Sequence, residues 1–186
     1  MLTTDEKGSI AELAIASAAA KLHIGVFKPL TDGERYDLIF DLRPTLVRVQ
    51  CKWATRHGDV VGVRAYSCRR TAEGLVRRGY SADEIDAIAA YCLELNACYF
   101  IPFEVIGNQR VVQLRLRPTR NNQRRRIRWA EDFDFAATLR RQFGAVAQLG
   151  ERRRGTPKVT GSSPVGSTLT SPTPQAPRAT TGSNRT

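Results

Sequence analysis

A chain of 186 residues with 41% hydrophobic content has material for one buried core, and 29 Lys plus Arg against 18 Asp plus Glu give a net charge of +11 that favours a polyanionic partner. No apolar run is long enough to span a bilayer, and the opening MLTTDEKG lacks the basic-then-apolar pattern of a signal peptide, so a cytoplasmic protein is expected. Cys51, Cys68, Cys92 and Cys98 form no C-x-x-C pair and have only His23 and His57 for company, which predicts buried reduced thiols rather than a structural zinc site.

Thr3 or Thr4 caps a helix that carries Asp5 and Glu6 in its first turn and runs to Leu22, where His23 and Gly25 end it. From Gly8 to Ala20 this helix is alanine-rich and apolar nearly all round, which predicts close packing against a sheet. Glu12 is the one charged side chain between Lys7 and Lys21; it is either an ordinary carboxylate near a helix start or a group aimed at an opening or a cation. Val26 to Leu30 is a short extended piece broken by Pro29, and Thr31-Asp32-Gly33-Glu34 is turn chemistry.

Tyr36 to Trp53, YDLIFDLRPTLVRVQCKW, reads as two strands joined at Pro44 and Thr45. Tyr36, Leu38, Phe40 and Leu42 share one face, with Asp37, Ile39 and Asp41 on the other; Val47, Val49, Cys51 and Trp53 stand against Arg48, Gln50 and Lys52. A tight hairpin register pairs Asp41 with Arg48, Ile39 with Gln50 and Asp37 with Lys52, and a longer loop loosens that pairing. Val60 to Cys68 is a third strand with Arg64 facing out. Arg69 to Tyr80, basic and glycine-broken, suits a surface segment or a short helix. Ser81-Ala82-Asp83-Glu84 has a capping-box pattern. Ile88 to Tyr91 and Cys98 to Ile106 are strands, with one continuous helix from Ser81 to Leu95 as the competing reading, and Val111 to Leu116 is a further strand after the Gly107-Asn108 turn.

The run RLRPTRNNQRRRIR offers Arg115, Arg117, Arg120, Arg124, Arg125 and Arg126 for phosphates and Asn121, Asn122 and Gln123 for adenine edges; a solvated loop is the alternative. Trp129 to Phe143 is a closing amphipathic helix with Phe133, Phe135, Ala136 and Leu139 as packing residues. Residues 1–143 therefore form the folding domain, and 144–186, rich in Gly, Ser, Thr, Pro and Arg, are expected to be a disordered tail. GAVAQLGE followed by KVTGSSPVGST is what one frame of a tRNA gene would encode, through its D arm and T arm, which points to a reading frame that runs into such a gene.

Glu12 on a helix, Asp37 in one strand, then Gln50-Cys51-Lys52 in the next resembles the layout of PD-(D/E)XK nucleases. Residues 7–143, including KGSIAELAIASAAAKL, ERYDLIFDL, VRVQCKW, EIDAIAAYC, CYFIPFEVI and LRLRPTRNNQRRRIRWAEDF, resemble the group I intron-encoded homing endonucleases of that superfamily, which are related in fold to archaeal Holliday-junction resolvases. The resemblance implies an α/β fold, a mixed central β-sheet flanked by helices with a restriction-endonuclease-like core. It implies Mg²⁺-dependent hydrolysis of double-stranded DNA, with Glu12, Asp37, Gln50 and Lys52 catalytic, the metal held by Glu12, Asp37, Gln50 and the Cys51 carbonyl, and a homo-oligomer, dimer or tetramer. Tyr36 stands where the family name has proline, and Gln50 where it has a second acid; a neutral amide is a poorer Mg²⁺ ligand than a carboxylate. Two alternatives share the fold: a junction resolvase, and a catalytically degenerate basic DNA-binding module for which Gln50 is the main support. An RNA-binding protein is disfavoured because Tyr66, Tyr80 and Trp129 are too scattered for base stacking.

Overall fold

A computed structural model describes residues 1–31, 33–118 and 127–144; Arg120, Asn121, Asn122, Gln123, Arg124, Arg125, Arg126 and the chain beyond 144 lie outside the described residues. Helix α1 (Thr4–Lys21) begins at a reciprocal cap. Thr3 Oγ1 accepts the Glu6 N–H at 3.2 Å, while the Glu6 carboxylate accepts the Thr3 N–H at 2.7 Å, so two otherwise orphaned donors are satisfied. Only one stripe of α1, formed by Ala11, Ile15 and Ala19 at four-residue spacing, is fully buried, and Leu13 is 71% exposed. The alanine-rich composition lets the helix lie close to the sheet without requiring burial all round.

Among the described residues nine strands follow: β1 (Gly25–Phe27), β2 (Leu38–Asp41), β3 (Leu46–His57), β4 (Val60–Arg64), β5 (Tyr66–Thr71), β6 (Gly74–Gly79), β7 (Ala87–Cys92), β8 (Ala97–Pro102) and β9 (Val111–Arg115). Seven of them make one mixed sheet in the order β1-β2-β3-β4-β9, with β7 and then β8 branching from β3. Strand β3, 12 residues long, is the hub. Its first part pairs antiparallel with β2, Val49–Ala54 pairs parallel with β7, and Ala54–His57 pairs antiparallel with β4. The two faces carry separate cores. Helix α1 and helix α3 (Phe135–Phe143) cover one face with Phe40, Phe100 and Phe135 packed at ring separations of 6.0–6.4 Å. The short α2 (Phe103–Ile106) and a 3₁₀ turn at Ala130–Phe133 cover the other, over Ala54, Val61, Ile88, Ile101 and Leu114.

The β2–β3 hairpin is registered two residues away from the tight pairing expected. Leu38 opposes Val49, Ile39 opposes Arg48 and Asp41 opposes Leu46. The physical reason is the Asp41 side chain, which accepts the Arg43 N–H at 3.1 Å and starts the reversal one residue early, so the turn centres on Arg43-Pro44 and closes with the Leu42 N–H on the Thr45 carbonyl at 2.9 Å. Alternation is unchanged by an even shift, so each residue within β2 and β3 keeps its face, but Arg48 loses Asp41 as a partner. It takes Asp86 instead: Nη2 lies 2.8 Å from Oδ1, Nε 3.1 Å from Oδ2, and the Arg48 N–H 2.7 Å from the same oxygen.

Other expectations shift for similarly local reasons. Arg69 to Tyr80 lies mostly in the β5–β6 hairpin rather than in a short helix, and the third strand breaks at the buried Ala65, so β5 leaves the main sheet. The continuous helix from Ser81 to Leu95 does not form; Ala87–Cys92 is buried on both faces in β7, as a central strand requires. The closing helix is interrupted at Asp134, whose carboxylate caps α3 by accepting the Ala137 N–H at 2.9 Å. Tyr36 packs with the second core rather than with Leu38 and Phe40, and Cys68 is exposed.

The Arg48–Asp86 pair ties β3 to the residue before β7 and so sets the register of the sheet's parallel pair. Burial would raise the Asp86 pKa, but the Arg48 guanidinium and backbone N–H outweigh it and hold the carboxyl below its ordinary value of 3.8. Arg48→Ala should therefore cost about 1.5–3 kcal/mol in urea denaturation at pH 7, the scale of hydrogen bonds to a charged group. Because the folded pKa is depressed, this contribution is present above pH 3.8 and fades as pH falls through the lower folded value. A loss below about 0.5 kcal/mol, the range of neutral surface substitutions, would contradict the clamp.

Candidate active site

Asp37 immediately precedes β2 and extends its ladder by donating its N–H to the Val49 carbonyl at 3.0 Å. By continuation of the register it faces Gln50, on the same side of the sheet as Lys52. Its Oδ2 accepts the Cys51 N–H at 2.7 Å and also the Gln50 side-chain amide, whose nitrogen lies 3.4 Å from the Cys51 carbonyl oxygen. Gln50 is 8% exposed, one of few buried polar side chains, so its amide must find partners here or leave buried dipoles unmatched.

Burial pushes the Asp37 carboxyl above its ordinary pKa of 3.8, and the charge of Glu12 pushes the same way; the Cys51 N–H, Lys52 and Lys28 pull it back. Lys52 is affected in the opposite sense: burial lowers its pKa from the ordinary value, Asp37 opposes that, and the nearby Arg35 adds to it. The Lys52 ammonium lies 5.2 Å from the centre of the Tyr80 ring, and the Arg35 guanidinium carbon lies 4.5 Å from the same ring. Glu12, from α1, is 28% exposed and pairs with Lys28 at 2.7 Å. Burial keeps the Cys51 thiol protonated, so the oxygen of its backbone, not its sulfur, is the donor this residue offers.

The structure thus brings Asp37, Gln50, Cys51 and Lys52 together, with Glu12 within electrostatic reach of Asp37. Arg115 and Arg117 are elsewhere, at the end of the edge strand β9, where Arg115 Nε donates to the Arg117 carbonyl at 3.0 Å. Arg35, Tyr80 and Lys28 join the site without having been named as site residues from the sequence. Arg35 had a signal, its position in the same RYDL run as Asp37; Lys28 and Tyr80 come from segments whose placement depends on the tertiary fold.

No group of three His, Cys, Asp or Glu side chains gathers for a metal among the described residues. The donor set is two carboxylates, a neutral amide and a backbone carbonyl. All offer oxygen, which suits a hard cation, and one or two carboxylates with water and substrate phosphate is how Mg²⁺ is usually held. These residues therefore fit such an ion.

A carboxylate whose folded pKa is raised works against folding at neutral pH. Asp37→Asn should leave stability unchanged or raise it by about 0.5–2 kcal/mol at pH 7 without added metal, as removal of an active-site charge commonly does. The difference should vanish below pH 3.8, where both forms are neutral in either state, and grow as pH rises through the higher folded value. A variant less stable than wild type by more than about 1 kcal/mol at pH 7 would show that Asp37 serves the fold instead.

Comparison with known proteins places the fold in a family. The family model described as PD-(D/E)XK endonuclease matches residues 2–136. The solved structure of a bacterial homing endonuclease, I-Ssp6803I, superposes with a TM-score of 0.61 and 28% sequence identity over 83% of this chain and 100% of that one. Comparison with curated proteins returns no match. A family model that spans most of the chain, on a restriction-endonuclease-like sheet, establishes that the chain belongs to the PD-(D/E)XK endonuclease family and is a nuclease.

Proposed function

We propose that this nuclease is a Mg²⁺-dependent endodeoxyribonuclease that hydrolyses phosphodiester bonds in double-stranded DNA, with a homing role like that named for I-Ssp6803I. The observation that carries the reading is the grouping of Asp37, Gln50 and Lys52 on one face of the β2–β3 hairpin, beside Glu12. Asp37 and Glu12, with the Gln50 amide oxygen and the Cys51 carbonyl, would hold the cation. When bound, Mg²⁺ supplies Lewis-acid polarisation of the phosphate and lowers the pKa of a water.

The chain's own residues do the rest. Asp37, fixed by the Cys51 N–H, sets the position of negative charge at the end of the hairpin. Lys52, largely withdrawn from water, presents a cation whose attraction for developing phosphate charge is stronger than it would be in bulk solvent. Tyr80 stacks beside Lys52 and limits the volume its ammonium can sample. Residues 1–143 form the nuclease domain in this reading. Arg115, Arg117, Arg120, Arg124, Arg125 and Arg126 supply phosphate contacts, with Asn121, Asn122 and Gln123 at base edges, and a dimer or tetramer acts in the cytoplasm on a long site. No helix among the described residues is long and apolar enough to cross a membrane.

One observation favours a second reading. The Gln50 amide donates to Asp37, so the position of the family's second acid is occupied by a group that hydrogen-bonds the first instead of adding charge. A catalytically degenerate DNA-binding module is the outcome if that hydrogen bond persists when metal and DNA are present.

The test is cleavage of duplex DNA carrying the uninterrupted form of the tRNA gene read in residues 144–168, with Mg²⁺ or EDTA. Discrete Mg²⁺-dependent products are expected, reduced on the order of 10³-fold in Asp37→Asn and Lys52→Ala, while DNA affinity changes by less than about tenfold because arginines supply most of it. Neutralising Arg124, Arg125 and Arg126 together should flatten the dependence of binding on salt. Full cutting by either active-site variant would remove the site assignment; binding by the wild type without cutting, there and on four-way junctions, would make the degenerate module the leading reading.

A further inference from the structure

Strands β5 and β6 form a two-stranded sheet of their own, and every residue from Cys68 to Gly79 is exposed. Alternation puts cross-strand partners on one face together: Ser67, Arg69, Val76 and Arg78 on one, Cys68, Arg70, Leu75 and Arg77 on the other. Each face therefore carries two arginines and one large aliphatic residue, with Leu75 58% and Val76 50% exposed. Glu73, in the turn, is the one acid between Tyr66 and Gly79. A hairpin that served the core would have an inner face, and an isolated two-stranded ribbon is marginally stable in water.

This one is held at its base. Arg35 Nη1 donates to Ser67 Oγ at 2.8 Å and Nη2 to the Gly79 carbonyl at 2.7 Å, one bond to each strand, and Arg78 pairs with Glu84. Toward the turn, the side chains of Arg69 and Arg70 have no hydrogen-bond or ion-pair partner among the described residues, while their backbones pair with Val76 and Leu75. The base also touches the site. Tyr80, the residue after β6, has Arg35 at 4.5 Å and Lys52 at 5.2 Å from its ring centre, so the group that grips the ribbon and the ammonium beside Asp37 share one aromatic ring.

We infer that the β5–β6 ribbon enters the major groove of duplex DNA beside the phosphate that is cut, with Arg69 and Arg70 reaching base edges and Leu75 and Val76 meeting thymine methyl groups. The inference rests on the DNA reading above. A six-residue strand spans about 20 Å, and a major groove about 12 Å wide admits a two-stranded ribbon. Both faces of a ribbon lying in a groove meet a wall, which accounts for arginine on both. A second copy of the chain is a poor occupant, because four arginines would face four arginines. Anchoring at Arg35 and Tyr80 makes groove occupancy fix the distance from the read bases to Lys52.

The test uses the full chain and a duplex that the wild type selects from a random library. Arg69→Ala/Arg70→Ala should bind that duplex at least tenfold more weakly. Arg69→Lys/Arg70→Lys should bind random duplex like wild type yet lose its preference for the selected one, because lysine keeps the charge but not the bidentate fork. Leu75→Ser/Val76→Ser should lose discrimination at thymine positions. Wild-type binding with all three variants unchanged overturns the ribbon alone, as does a preference retained by the lysine pair or a change of oligomeric state in the serine pair. A wild type that binds no duplex overturns the DNA reading and the ribbon with it.

Discussion

The Asp37 carboxylate must be placed on the hairpin face without a full shell of water, and much of the local structure follows from that constraint. Burial raises its pKa above the ordinary value; the Cys51 N–H and the Lys52 and Lys28 charges work against that rise. The Cys51 bond is available only because β2 and β3 pair in the register they do. That register depends on Asp41 turning the chain early, and on Arg48 being free to hold Asp86 and align β7. A shift of two residues would keep every side chain on its face and still remove Asp37 from Gln50.

The positive groups around this carboxylate are arranged in two tiers. Lys28 is 67% exposed and satisfies Glu12, so a cation entering between Glu12 and Asp37 has an easily displaced competitor there. Lys52 is withdrawn and held beside Tyr80, so its charge is less screened. Gln50 belongs to neither tier. Its amide nitrogen fills the space between Asp37 Oδ2 and the Cys51 carbonyl, a partial positive charge among oxygens, and rotation of the amide would turn its own oxygen into that space. The same side chain thus satisfies the buried carboxylate and, in the function proposed above, would turn an oxygen toward a bound cation.

Much of the fold was legible because its signals are local. The capping residues of α1, the two-residue alternation of β2 and β3, and the apolar run of β7 each follow from side chains near in sequence. What was not legible depended on distant partners. The hairpin register was decided by one Asp41 hydrogen bond against a turn that composition placed a residue later. Segment 69–80 offered no hydrophobic periodicity, because the ribbon it helps form has no buried face. Of the site, Asp37, Gln50 and Lys52 could be read from alternation, and Glu12 from its isolation in an alanine helix; Arg35, Lys28 and Tyr80 arrive from three separate segments and left no shared pattern.

The central claim is that Asp37 anchors a divalent cation which replaces the Gln50 amide as its partner. Calorimetric titration of Mg²⁺ into the protein bound to duplex DNA, in a Lys52→Ala background expected to slow cutting, tests this directly against the Lys52→Ala/Asp37→Asn double variant. Beyond the Mg²⁺ uptake of the free duplex measured alone, the account predicts saturable binding in the first and no additional binding in the second. Equal binding in both, or none in either, would contradict it.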